Sequence, residues 1–192
     1  MTEKVCWIET IAEHRAEGAL REAYEMIGRP DGTVQNLYKA YSLWPTPMAW
    51  ADALYRAILH SGDSTLPQWF LELIATQVAI LADCDYASAH HGANFKALLE
   101  DAARAERMLD AVRRDDLDGA FDGKQAALLA YSAKLTREPD AMTEADIAAL
   151  RAAGAEDVEI LEVNQVCANF NYWVRVINGL GIRLGDEKIG AY

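Results

Sequence analysis

Cysteine is scarce in this chain. Cys6, Cys84 and Cys167 are the only three among 192 residues; they lie far apart and are odd in number. They match neither a zinc-ligand spacing nor a disulfide framework, and free thiols of this kind suit a reducing, cytoplasmic setting. Cationic side chains are also few. Lysine and arginine total 18 against 30 aspartates and glutamates, a formal charge of −12. That balance argues against nucleic acid or an anionic membrane as partner. Every long apolar stretch is interrupted by polar residues, and the N-terminus has no basic region leading into one, so no signal peptide and no membrane span are expected. Alternating β-branched runs are missing too, which leaves strands without a signal.

Apolar residues make up 52% of the chain, and at this length a fold buries roughly 70% of its unfolded surface. No disulfide or metal is then needed to hold a core, and no low-complexity linker divides the chain. A single domain over 1–192 is expected. Apolar residues recur at three and four, so the fold class is all-α with about eight helices. The helical segments are 11–27, ending before Gly28-Arg-Pro-Asp-Gly32; 35–43; 46–60, opened by Thr46-Pro47; and the apolar run 66–82, led in by Leu66-Pro67. A helix capped by Asp83 or Asp85 runs on through Asn94 to Leu99, followed by 104–113 and 124–136. Thr143 to Asp146 approximates a capping box for 147–152, and 157–178 carries the stripe Ile160, Val163, Cys167, Phe170, Val174, Ile177.

Chemistry concentrates where 66–82 gives way to the next helix. Cys84 stands at a helix start, where unpaired backbone donors favour thiolate, while Asp83 and Asp85 oppose it. His91 lies two turns on, roughly 10 Å along the axis, with Ala87 between them on the same face. If the chain reverses near Ala82 to Asp85, Glu72 faces His91; on one straight helix it would stand ~18 Å from Cys84. Each residue also has a plainer reading. Gln68, Glu72 and Thr76, four apart, could form the wet face of an amphipathic helix. Cys84 could be a small buried hydrophobe and His91 a core histidine. Cys167 belongs to an apolar stripe, Cys6 lies near a terminus, and His14 and His60 look like surface positions. His90 points about 100° from His91, and Glu72, Cys84 and His91 supply only three ligands, so no metal site is expected.

Glu72, Cys84, Tyr86 and His91-Gly92, so spaced, resemble the core of the carboxymuconolactone decarboxylase superfamily, specifically its alkylhydroperoxidase AhpD-like, peroxidase-related branch. That branch carries glutamate, then C-x-x-C with tyrosine commonly before the second cysteine, then histidine four residues later. Gly32-Thr-Val-Gln-Asn-Leu37, Trp44-Pro45 and Ala168-Asn-Phe-Asn171 through Arg175 and Gly179-Leu-Gly181 extend the likeness, which is strongest over about 32–100. The resemblance implies an all-helical trimer or hexamer with its site near the subunit contacts, thiol-dependent reduction of hydroperoxides, and Cys84, His91 and Glu72 as catalytic residues with no cofactor. Ala87 departs from the pattern by occupying the place of the second cysteine. A cycle on this chain would therefore need an external thiol reductant. The alternatives are a non-redox enzyme or binding protein for a small organic acid or lactone, and a catalytically idle paralogue.

Overall fold

The structure is a computed structural model that describes residues 4–191. Among these residues there are nine α-helices and no strand, close to the number expected. They are α1 (Gly18–Ile27), α2 (Asn36–Lys39), α3 (Pro45–Leu59), α4 (Gln68–Leu81), α5 (Asp85–Leu99), α6 (Ala102–Arg114), α7 (Gly123–Arg137), α8 (Glu144–Ala152) and α9 (Asp157–Leu180). Within them, no helix is long and apolar enough to cross a membrane.

Local chemistry accounts for most helix ends. Asp101 and Asp122 cap α6 and α7 by accepting from the backbone N–H of Arg104 and Gln125, each offsetting an orphan donor. Asp146 Oδ2 accepts from the Thr143 N–H at 2.7 Å, which realises the expected capping box of α8. The largest departure is at 11–27. Residues Glu13–Arg15 form only a 3-10 turn, and α1 begins at Gly18, whose φ of +53° is incompatible with continuing a helix from Ala12. Segment 35–43 likewise yields only the single turn of α2.

The chain gathers into two compact units. One comprises the chain up to Ala57 with Arg175–Lys188. Here the Trp7 N–H donates to Leu180 O at 2.9 Å and the Arg183 N–H to Val5 O at 3.0 Å. Gly181, at φ +60°, lies under Trp7, and a Cβ there would fall 2.1 Å from the indole. Asn36 Nδ2 donates to Arg183 O and Leu184 O, and its N–H to Glu187 Oε2. On α3, buried Asp52 accepts from the Tyr38 hydroxyl and from Arg56 Nε.

The other unit comprises Ile58–Val174 with the chain from Ile189. Its centre is α4, where every residue from Phe70 to Ala79 is buried, the pattern of a helix covered all round rather than on one stripe. It packs mainly on α5 and also touches α6 and α7. On α9, Ile160, Val163, Cys167, Phe170 and Val174 are buried as the stripe predicts.

Candidate functional site

Between α4 and α5 the chain turns in three residues. Asp83 adopts φ +50°, a left-handed conformation that aspartate tolerates, and Cys84 becomes the N-cap residue of α5. Its N–H donates to Ala79 O and its carbonyl accepts from the Ser88 N–H. The two helices thus run antiparallel, as the placement of Glu72 opposite His91 requires.

Glu72 is fully buried. Its Oε2 pairs with His91 Nδ1 at 2.7 Å and its Oε1 accepts from Asn94 Nδ2 at 3.1 Å. The tautomer that lets Glu72 accept carries the His91 proton on Nδ1, which leaves Nε2 as the lone-pair nitrogen. The edge of His91 meets Phe170, with ring centroids 4.5 Å apart. This overturns the wet-face reading of Gln68, Glu72 and Thr76. Thr76 is buried and donates to Glu72 O at 2.8 Å, while half-buried Gln68 bonds Leu59 O and His60 Nδ1. His60, expected at the surface, is held in that contact; His14 is exposed.

Cys84 is buried with 2% of its surface exposed. Burial pushes its thiol above the ordinary value; the Ala87 and Tyr86 amides at the start of α5 pull it down, and Asp85 and Asp83 push it up again. The net direction is upward, so the dipole argument that favoured thiolate loses to desolvation. Cys84 and His91 remain two turns apart on α5, about 10 Å along the axis. A substrate or a water must bridge them for a proton to pass.

Three features here had no place in the sequence reading. Asn94 served there only to extend a helix, and Phe170 only as a stripe residue within the Ala168–Asn171 likeness, with no contact to His91 foreseen. The third is the C-terminal segment, whose Gly190 N–H donates to His90 Nδ1 at 3.2 Å and Ala191 N–H to Asn94 Oδ1 at 2.7 Å. Asparagine with a glutamate 22 positions away carries no sequence signature, so only the folded hairpin reveals the pair.

The other cysteines are buried as well. Cys167 is not in purely apolar surroundings: its sulfur lies 3.3 Å from Thr136 Oγ1 and within 3.5 Å of Ser132 O and Asn171 Nδ2. Cys6 is packed rather than frayed, its thiol directed at Ile8 O. Among the described residues no group of three or more His, Cys, Asp or Glu side chains is arranged to hold a metal ion. A hollow of about 440 Å³ beside α7, lined by Asp115, Asp116, Asp118, Lys134, Arg137 and Glu138, contains none of the residues above.

An antiparallel helix pair with a buried glutamate on one helix, a cysteine at the start of the other and a histidine two turns on defines the class: this is an AhpD-like helical fold. Across 96% of its length the chain is similar to 95% of the crystallised alkylhydroperoxidase AhpD core, an uncharacterized peroxidase-related protein from Ralstonia eutropha JMP134, at 21% identity and a TM-score of 0.81. An uncharacterized peroxidase-related protein from Silicibacter sp. TM1040 matches at 26% identity and TM-score 0.78, over 95% of this chain and 93% of that one. The debrominase Bmp8 matches at 13% identity and TM-score 0.74, over 95% and 92% of the two chains. No protein-family profile matches the sequence, and no curated protein does.

Proposed function

We propose that the protein reduces hydroperoxides through Cys84 in a cycle that uses one protein cysteine. The observation that carries this reading is the buried pair of Glu72 on α4 and His91 on α5, 2.7 Å apart, with Cys84 at the start of α5. His91 Nε2 takes the thiol proton through a bridging water, and Glu72 steadies the imidazolium that results. The thiolate sulfur attacks the distal peroxide oxygen and the O–O bond breaks. Cysteine is oxidised to sulfenic acid, and the alkoxide takes a proton to leave as alcohol. With Ala87 where a second cysteine would stand, one molecule of an external thiol condenses with the sulfenic acid, releasing water and forming a mixed disulfide. A second molecule attacks that disulfide, restoring Cys84 and leaving as the oxidised reductant.

We further propose that the chain works as a homo-oligomer, a trimer or hexamer, in the cytoplasm, as the wider resemblance to the carboxymuconolactone decarboxylase superfamily implies. Exposed Trp44 and Trp50, the latter one turn from exposed Leu54 on α3, support a covered face. The net charge of −12 favours small molecules over nucleic acid as partners.

A debrominase of the same fold means that the fold alone does not choose the chemistry. Consumption of cumene hydroperoxide and hydrogen peroxide in the presence of dithiothreitol decides. The native protein should turn over and Cys84→Ser should not. Equal, background-level rates for both would remove the peroxidase reading in favour of a non-redox protein for a small organic acid or lactone, or an idle paralogue.

A further inference from the structure

We infer that Asn94 and the C-terminal segment 189–191 are positioning elements that fix the Glu72–His91 pair; the consequence for turnover rests on the proposed function, the positioning itself does not. The hydrogen bonds run as one chain. The Ala191 N–H can only donate, so the amide oxygen of Asn94 faces it at 2.7 Å. The amide nitrogen must then face the other way, where Glu72 Oε1 accepts from it at 3.1 Å. The second carboxylate oxygen is left to His91 Nδ1 at 2.7 Å. Both ends of the amide agree, and its orientation is determined by backbone at one end and by a buried carboxyl group at the other.

The segment is itself anchored and sterically matched. Gly190 donates to buried His90 Nδ1, one residue before His91 on α5. Its φ is +77°, and a Cβ at this position would stand 3.1 Å from Asn94 Oδ1 and 3.5 Å from Ala93 Cβ. Both the conformation and the space call for glycine. Without the segment, the Asn94 oxygen loses its donor, and Glu72 alone holds the amide. Held at one end only, the amide can swing away and leave Glu72 Oε1 without its donor in a buried site.

The test compares the native chain with one ending at Ile189, with Asn94→Asp, which keeps the acceptor for Ala191 and removes the donor to Glu72, and with Gly190→Ala. Imidazole-¹⁵N-labelled protein reports the His91 Nδ1–H, whose hydrogen bond to a carboxylate should give a sharp, downfield proton resonance. That resonance should broaden or vanish in all three variants while circular dichroism stays native, and kcat for cumene hydroperoxide should fall about tenfold with KM unchanged. An unaltered His91 resonance in the shortened chain and in Asn94→Asp overturns the inference. If the shortened chain does not fold, Gly190→Ala replaces it under the same criterion. A resonance that responds in a protein with no peroxide turnover keeps the positioning role and removes the peroxidase reading.

Discussion

At Cys84 two effects compete, and their order sets what the thiol can do. The helix start supplies amides that favour the anion, but burial is the larger influence and the flanking aspartates add to it. The thiolate is therefore a small fraction near neutrality. Alkylation of the native protein by iodoacetamide should be slow at pH 7 and rise about tenfold per pH unit until past the ordinary thiol range. Mass spectrometry should find the adduct on Cys84 before Cys167, which shares its sulfur with Thr136 and Asn171 inside the core. Modification of Cys167 first would reverse the assignment. Ala87 sets the second residue-scale expectation. It is buried one turn from Cys84, so Ala87→Cys should close a disulfide with Cys84 under mild oxidation. An intramolecular resolving thiol replaces a bimolecular step, and dithiol-dependent turnover should then exceed that of the native chain. A variant that forms the disulfide without gaining activity would show that Glu72 and His91 are not poised for peroxide chemistry.

At the scale of elements, the α4–α5 hairpin was legible because its parts are local: an apolar run, an aspartate that accepts a left-handed turn, and a motif spaced along one helix. Glu72 was not. Four-residue spacing of Gln68, Glu72 and Thr76 describes a wet face and a buried polar seam equally well, and only the neighbours from α5 decide. Segment 11–27 failed for a different reason: its apolar periodicity is real, but the positive φ of Gly18 breaks it. The cluster around α3 was invisible as well, since Tyr38 and Asp52 meet only once α2 and α3 are packed. It yields a pH prediction. Burial, then Asp52, raises the Tyr38 phenol well above its ordinary value of 10.0. Because the folded state holds this proton more tightly than the unfolded chain, its contribution is complete below pH 10 and is lost as pH rises further. Tyr38→Phe should cost about 1–2 kcal/mol in urea denaturation at pH 7. It should also flatten the fall in stability above pH 10; an unchanged alkaline slope would show that the phenol does not cause it.

The whole molecule combines a charge of −12 with large apolar residues left in the open. Trp44, Trp50, Trp69 and Trp173 are expected from sequence to be exposed, as too many for one small core, and the structure corrects this for two of them. Trp173 is buried with its Nε1 on Asn169 Oδ1, and Trp69 is half-buried with Arg104 over its ring. Trp44 and Trp50 remain 71% and 75% exposed, with Leu43 and Leu54 exposed close by in sequence. Such residues are costly to leave in water when they form a patch, whereas the acidic charge keeps like molecules apart unless that patch outweighs it. Screening should weaken the repulsion without touching apolar contact. Light scattering at micromolar concentration should therefore give a mass of at least three 21.2 kDa chains, holding or rising from 50 mM to 500 mM salt. Trp50→Glu, which adds charge to the same face, should shift the protein to smaller species with an unaltered helical spectrum. A native chain that is a monodisperse monomer at every salt concentration would mean that these tryptophans are tolerated singly, and the proposal of an obligate oligomer would fall with them.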